Sequence, residues 1–197
     1  MPRSDVIRRL EAALAHPGEA SSDFDLNPRV ILPEGRVLRP SAVLVCVDPL
    51  REEVILTQRS ARLKHHPGQI AFPGGKQDPG DPTLEACALR EAREEIGLPE
   101  GAARVLGRLP AHETVTRFTI QPVLAVLETE FEPVAEVGEV AEVFRVPLAH
   151  VTDPARFTVQ SRDWQGQRRS YFTVPWGPYY IWGATARILR GLAERMK

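Results

Sequence analysis

Some segments of the chain have apolar residues in short runs typical of strands, and others have them at helical spacing. This pattern predicts a mixed α/β domain. Residues 4–14 carry apolar side chains at helical spacing and stop short of Pro17, so we expect an N-terminal helix there. Residues 180–196 form a second amphipathic pattern and predict a C-terminal helix. Residues 17–40 are rich in Pro, Gly, Asp and Ser, which is typical of a surface connector.

Strand patterns dominate the middle of the chain. Residues 42–47 are a continuous apolar run, typical of a strand buried on both faces, and residues 53–57 are its expected hairpin partner. The other predicted elements are strands at 105–107 and 118–127, a hairpin of 156–160 and 168–174 around Trp164-Gln165-Gly166, and a short helix at 139–144. We therefore expect one α/β domain over residues 1–197, in which residues 1–40 form a helix and connector.

Composition narrows the class of protein. The chain has 43% hydrophobic residues, enough for a sizeable core, and a formal net charge of −1, which argues against binding to duplex nucleic acid. No apolar run approaches the roughly 18–20 residues of a membrane span, and charged residues interrupt any signal-like segment at the start. The two cysteines lack metal or disulfide spacing. These observations predict a cytoplasmic protein with neither a membrane nor a nucleic-acid partner.

The strongest helical pattern covers residues 81–98. Asp81 suits the N-cap, Pro82 the first helical position and Gly97 the stop. The apolar residues of this helix lie on an arc suited to packing against a sheet.

The same helix carries an acidic face. Glu91, Glu94 and Glu95 fall within roughly a third of its circumference. Carboxylates at this spacing repel by about 0.2–0.5 kcal/mol per pair unless a cation lies among them, and Mg²⁺ prefers such oxygen ligands. Arg90 precedes Glu94 by one turn and is placed to hold its carboxylate by an ion pair. The alternative is a solvated charged face with ordinary Glu–Arg pairs.

A glycine-rich segment, residues 72–81, leads directly into this helix. Gly74 and Gly75 permit backbone N–H groups to approach an anionic ligand closely. Taken alone, the segment is also compatible with a plain loop.

Together, the glycine segment and the helix (residues 72–98) resemble the Nudix box, G-x5-E-x7-R-E-U-x-E-E-x-G-U, in which U is aliphatic. Residues 90–98, REAREEIGL, match its second half, with alanine at the first aliphatic position. The first half contains one additional residue, and its acidic position is filled by Asp81 or, one turn into the helix, by Glu85.

A second signature precedes the box. Residues 55–75 are similar to the extended motif of the coenzyme A pyrophosphatase branch of the Nudix family, L-L-T-x-R-[SA]-x3-R-x3-G-x3-F-P-G-G. The matching residues are Leu56, Thr57, Arg59, Ser60, Gly68 and Phe72-Pro73-Gly74-Gly75. Ile55 replaces the first leucine, and Lys64 replaces the second arginine, keeping its charge without the bidentate fork.

The resemblance implies a Nudix α/β/α sandwich with a mixed sheet and additional terminal helices. It implies hydrolysis of the pyrophosphate bond of coenzyme A or its derivatives, giving 3′,5′-ADP and 4′-phosphopantetheine. A divalent cation, Mg²⁺ with Mn²⁺ as a substitute, is expected on Glu91 and Glu95, with Glu94 assisting. The partner is then a small molecule, and both a monomer and a homodimer remain open.

The substrate-binding residues are expected immediately before the glycine segment and within it. They are Arg59, Arg62, Lys64, Gly74 and Gly75, with His65 and His66 adding to the cationic cluster. The alternative for this cluster is a solvated strand and turn.

The expected catalytic residues are Glu94, Arg90 and Glu139. Nudix enzymes differ in the position of the general base, and residues 136–143 contain three candidate glutamates, of which we favour Glu139. The alternative for Glu139 is a plain exposed loop or short helix.

Two rival functions remain. One is a Nudix hydrolase acting on ADP-ribose, dinucleotides or modified nucleoside triphosphates, and the other is a non-catalytic Nudix-like nucleotide sensor. The complete set of acidic residues argues against the sensor, and the signature at 55–75 argues against the other substrates.

Overall fold

The computed structural model describes residues 3–32, 35–164 and 166–197, with Trp164 described by its backbone. The helices in these ranges are α1 (Arg3–Ala15), α2 (Leu84–Ile96), α3 (Leu148–Val151) and α4 (Gly183–Arg195). The strands are β1 (Ser21–Ser22), β2 (Arg39–Asp48), β3 (Glu53–Arg59), β4 (Ile70–Ala71), β5 (Gly74–Lys76), β6 (Ala103–Arg108), β7 (His112–Glu113), β8 (Phe118–Leu127), β9 (Val140–Pro147), β10 (Thr158–Trp164) and β11 (Gln167–Thr173).

Two long strands, β2 and β8, run parallel at the centre of a mixed sheet. The order β1-β7-β8-β2-β3-β4 forms its main path, while β5 pairs with β2, β6 with β8 and β9 with β3. Strands β10 and β11 form a separate antiparallel hairpin, which confirms the prediction for this region. Gln165 of the predicted turn lies outside the described residues.

Alternating side chains of the central strands feed two separate cores, one on each face of the sheet. Val45 and Val47 of β2 pack with α1 and α4 in one core, which we call the α4 core. Leu44 and Cys46 point to the opposite face and pack with α2 in the α2 core. A sheet with helices on both faces is the predicted α/β/α sandwich, and the terminal helices are also confirmed.

The connector between α1 and β2 is fixed to the sheet by a buried histidine. The imidazole of His112, fully buried in β7, lies 2.9 Å from the Ser21 hydroxyl and 3.1 Å from the Asp23 carboxylate. The backbone N–H of Val115 donates to the other oxygen of Asp23. These bonds satisfy polar groups that burial would otherwise penalise.

The predicted start of the acidic helix is wrong. Helix α2 begins at Leu84 with Thr83 as its N-cap, accepting a hydrogen bond from the Ala86 N–H, so Asp81 is not the cap. Asp81 is instead engaged by an arginine, described below. Within the described residues, every helix is too short or too polar to cross a lipid bilayer.

The predicted helix at 139–144 is also wrong, because this segment belongs to strand β9. β9 pairs antiparallel with β3 from Glu53 opposite Pro147 to Arg59 opposite Val140. Phe144 and Val146 are thereby buried in the α4 core. The local sequence of this segment has only weak helical spacing. Pairing with the edge of β3 therefore determines its structure. The short helix α3 follows Pro147 rather than preceding it.

A split along one edge of β2 determines where the glycine segment lies. β3 pairs with β2 near Val47, whereas β5 pairs with the same edge at residues 41–43. Between these contacts, the Leu44 N–H donates to the Pro73 carbonyl. Residues 70–76 therefore fill the opening between diverging strands and face the acidic side of α2.

Candidate active site

Helix α2 turns its apolar side towards the sheet and its acidic side towards β5. Ala88, Ala92 and Ile96 are fully buried in the α2 core, as the spacing predicts. The helix ends at Gly97, whose left-handed backbone (φ 67°) suits glycine and whose N–H bonds to the Arg93 carbonyl. This termination places Glu95 in the last turn, against the glycine segment.

The buried carboxylate of Glu95 is the central feature of the site. Only 5% of Glu95 is exposed, and its Oε2 accepts a 3.0 Å hydrogen bond from the Gly74 N–H. Burial raises the pKa of Glu95 to about 7, and the negative charges of Glu91 and Glu139 act in the same direction. The protein therefore leaves negative charge at this position incompletely neutralised.

Glu91 lies one turn earlier and packs against the second glycine. A methyl group added to Gly75 would lie 2.5 Å from the carboxyl carbon of Glu91. Burial also raises the pKa of Glu91, opposed by the charge of Arg90. A side chain on Gly74 would in turn overlap the backbone of β2. Gly74 is thus required for β5 to fit against β2, whereas a side chain at Gly75 would displace the carboxylate of Glu91.

Arg90 connects the helix to the loop that precedes it. Its Nε and Nη2 each donate a 2.9 Å hydrogen bond to Asp81, and its Nη1 donates at 2.9 Å to Glu94. The bidentate arginine holds the pKa of Asp81 at about 2. Glu85, the other candidate for the acidic position of the box, instead pairs with Arg108. Asp81 therefore occupies the arginine-paired acidic position.

Glu94 is far more exposed than Glu91 and Glu95. Its side chain is 58% exposed and pairs with Arg90, as the spacing predicts. Across residues 3–32, 35–164 and 166–197, no three acidic, histidine or cysteine side chains are gathered as a ready-made metal shell.

Glu91 and Glu95 nevertheless fit a magnesium ion. Mg²⁺ is usually bound through one or two carboxylates, with waters and substrate phosphates completing its shell. Both carboxylates are partly or fully buried, and their pKa values are raised because burial disfavours their negative charge. A divalent cation bound between them would offset this unfavourable burial of charge.

Arg59 brings positive charge to the same place from β3. Its Nη1 lies 3.9 Å from Oε1 of Glu95, and its buried Nε has no hydrogen-bond partner among the described residues. Because a buried unpaired donor is costly, this guanidinium is suited to receive an oxyanion.

The other predicted cationic residues lie farther out on the loop between β3 and β4. Arg62 and Lys64 are exposed, and the structure records no contact of either side chain with the acidic residues of α2 within the described ranges. His66 has a positive φ of 54°, and burial lowers its pKa. The structure thus brings Arg59 to the site and leaves the loop cations at its rim.

Of the three glutamates in 136–143, Glu139 is the one whose carboxylate has no recorded hydrogen bond or ion pair with the described residues. Glu136 accepts the N–H groups of Gly138 and Glu139, and Glu142 accepts the hydroxyl of Tyr179. The charge of Glu139 contributes to the raised pKa of both Glu91 and Glu95. The Ser60 N–H donates to the Glu139 carbonyl and fixes this turn beside β3.

Replacement of Glu95 by Gln is expected to stabilise the metal-free protein at neutral pH. The folded pKa of about 7 lies above the ordinary value of 4.5, so the native state keeps a proton that the unfolded state loses. Stability therefore falls as pH rises from about 4.5 to about 7, by on the order of 2 kcal/mol. Urea unfolding with a chelator at pH 4 and pH 7.5 should show this loss in wild type but not in Glu95→Gln. Glu94→Gln is the matched control and should keep the wild-type pH dependence, whereas parallel curves for Glu95→Gln would refute the assignment.

Comparison with known proteins identifies the family. Among solved structures, a MutT protein from Methanosarcina mazei Go1 aligns with 60% of this chain and 83% of its own, at 20% identity and a TM-score of 0.49. A protein named Uncharacterized Nudix hydrolase NudL, from Citrobacter koseri, is 40% identical over 79% of this chain and 81% of its own length. The NudL of Photorhabdus laumondii is 31% identical over 98% and 97%. The NUDIX domain profile matches residues 38–167. On the profile and these relatives, the chain belongs to the Nudix hydrolase family.

Proposed function

We propose that this protein is a Mg²⁺-dependent pyrophosphohydrolase of coenzyme A or its derivatives, releasing 3′,5′-ADP and 4′-phosphopantetheine. The observation that carries the reaction type is the meeting of the half-buried Glu91 and the buried Glu95, whose pKa values are both raised, with the guanidinium of Arg59, whose buried Nε has no hydrogen-bond partner among the described residues. The choice of coenzyme A rests on the signature at residues 55–75.

Glu91 and Glu95 would hold the cation, with Glu94 assisting. When bound, Mg²⁺ neutralises phosphate charge and lowers the pKa of coordinated water. Arg90 keeps Glu94 and the glycine segment in place through Asp81 and the Lys76 carbonyl. Mn²⁺, which accepts similar oxygen ligands, is a suitable substitute.

Glu139 is the proposed general base. Its negative charge acts on Glu91 and Glu95, and its carboxylate would accept a proton from the attacking water. That water adds to one phosphorus as the bond from this phosphorus to the bridging oxygen breaks. Arg59 would offset the charge that develops on the departing phosphate.

The loop between β3 and β4 carries positive charge that would offset the large negative charge of the substrate. Coenzyme A carries about four negative charges, and the exposed Arg62 and Lys64 of this loop would meet the outer pyrophosphate oxygens. The Gly74 N–H is already donated to Glu95, so we assign the glycines to positioning the carboxylates, with Gly75 adjoining the substrate phosphates.

The protein is proposed to act as a single domain in the cytoplasm. Both cysteines, Cys46 and Cys87, are free and buried, which suits a reducing compartment.

A substrate panel tests the assignment directly. Coenzyme A, dephospho-coenzyme A, ADP-ribose and NADH are incubated with the protein and Mg²⁺, and the products are resolved by chromatography. We expect coenzyme A to give the highest kcat/KM, with products 3′,5′-ADP and 4′-phosphopantetheine. Preference for ADP-ribose or NADH would assign the rival hydrolase function, and no hydrolysis of any member would favour the nucleotide sensor.

Glu91→Gln and Glu95→Gln should each lower kcat by several orders of magnitude while the fold is retained. Each change removes a charged ligand and with it part of the Lewis-acid site. Steady-state kinetics at saturating Mg²⁺ is the measurement, with circular dichroism to verify folding. Glu85→Gln is a control on the same helix, because its carboxylate pairs with Arg108 away from the site. Near-normal turnover in both site variants would contradict the proposal.

Lys64→Ala should raise KM about ten- to a hundredfold with little change in kcat. A charge-assisted hydrogen bond contributes about 1.5–3 kcal/mol, and binding remote from the reacting phosphorus is largely uniform. A smaller rise with dephospho-coenzyme A would assign Lys64 to the 3′-phosphate, and equal rises would assign it to the pyrophosphate. An unchanged KM for both substrates would return the loop to a solvated surface.

A further inference from the structure

A polar cleft of about 400 Å³ lies on the α4 side of the sheet, between the β3–β4 loop and the segment before α4. This volume is in the range of small-molecule sites. The residues on which the argument rests are Gln58, His66, Gln69, Arg162, Tyr180 and Trp182. His66 belongs to the cationic loop described above, and the other five residues have no role in the proposed reaction.

One wall of the cleft is aromatic and held firmly in place. The Tyr179 ring stacks on Phe144 with centroids 3.6 Å apart, and its hydroxyl donates to Glu142. The next residue, Tyr180, is 41% exposed, and its hydroxyl donates to Gln160. The Tyr180 ring therefore presents a fixed aromatic surface to the cleft.

A positively charged side chain, that of Arg162, also lines the cleft. The Arg162 guanidinium lies 4.1 Å from the ring centroid of Trp182, an orientation that limits its freedom. Arg162 also stands directly opposite Arg169 in the β10–β11 hairpin, and like charges in register are unfavourable. Within the described residues the structure records neither an ion pair nor a hydrogen bond of the Arg162 guanidinium. This position is therefore suited to an anion.

The cleft adjoins the catalytic site through a single residue of β3. The backbone N–H of Arg59 donates to the Gln69 carbonyl, and the Gly68 N–H donates to the Arg59 carbonyl. Gln69 and Gly68 line the cleft, while the Arg59 side chain reaches Glu95 on the other face of the sheet. Arg59 thus contacts the residues of the cleft through its backbone and Glu95 through its side chain, so the cleft and the catalytic site share this residue.

We infer that this cleft binds the adenosine 3′-phosphate end of the substrate, with the adenine stacked on Tyr180 and the 3′-phosphate at Arg162. The inference rests on the proposed function, because it names which half of coenzyme A enters the cleft. A planar base matches an exposed aromatic ring, and the amides of Gln58 and Gln69 offer hydrogen bonds to its edge. The flexible, uncharged pantetheine arm would use neither the ring nor the guanidinium.

Equilibrium binding of the two product halves tests the inference without requiring turnover. Titration calorimetry with Mg²⁺ present compares 3′,5′-ADP, 5′-AMP and 4′-phosphopantetheine. We expect Tyr180→Leu to weaken the affinity for 3′,5′-ADP about tenfold or more, since base stacking on an aromatic side chain is lost. Tyr180→Phe keeps the ring and should remain within about twofold of wild type. Arg162→Gln should weaken 3′,5′-ADP about tenfold but leave 5′-AMP nearly unchanged.

Trp176→Leu is the matched control. Trp176 is an exposed aromatic residue of the same segment, but its ring contacts His150 outside the cleft, so its loss should leave all three affinities unchanged. Failure of wild type to bind 3′,5′-ADP, unaltered affinity in Tyr180→Leu, or a selective loss of 4′-phosphopantetheine affinity would each overturn the inference.

The outcomes also separate this inference from the proposed function. If 3′,5′-ADP binds through Tyr180 and Arg162 while coenzyme A is not hydrolysed, the cleft assignment stands and the substrate assignment fails. If coenzyme A is hydrolysed while binding is insensitive to both variants, the cleft assignment fails alone.

Discussion

The site depends on burying one carboxylate, that of Glu95, at the point where three segments of the chain meet. Its side chain accepts the Gly74 N–H, its main-chain carbonyl accepts the Glu136 N–H, and Arg59 approaches from β3. Burying a charged group is unfavourable unless it is compensated, and here the compensation is partial. The same burial therefore orders the glycine segment, the loop before β9 and the end of α2 while leaving an electrostatic demand for a cation.

The ion pair between Arg90 and Asp81 shows how the chain accommodates a Nudix box that departs from the usual pattern. One residue is inserted between the glycine segment and the acidic helix, and an aspartate replaces the longer glutamate. The helix responds by starting at Leu84 behind the Thr83 cap, so that residues 77–83 form an independent loop. The Asp78 N–H donates to Asp81, which holds the short carboxylate within reach of Arg90. Local loop geometry thus replaces side-chain length.

Most of the sandwich could be predicted from sequence because its long elements carry strong periodicity. The apolar runs in residues 42–47 and 118–127 reflect strands buried on both faces, and the helical spacing of α2 reflects a helix that packs one side against the sheet. The strand at 140–147 could not be predicted, because its identity depends on the edge of β3, which is distant in sequence. At the site, spacing placed Glu91, Glu94 and Glu95 on one arc but gave no sign that Glu95 is buried while Glu94 is exposed. The pairing of Asp81 with Arg90 and the aromatic cleft likewise depend on long-range packing.

Cys87 lies on the same helix, and its surroundings determine how the enzyme responds to oxidants. Its thiol donates to the Lys76 carbonyl at 3.3 Å, and burial together with the charges of Asp81 and Glu91 raises its pKa to about 11. At neutral pH only about one thiol in ten thousand is then ionised, and the thiolate is the form that peroxides and alkylating agents attack. The carboxylates that prepare the helix for catalysis therefore also protect its cysteine, so the activity should persist through oxidative conditions that inactivate thiol-dependent enzymes.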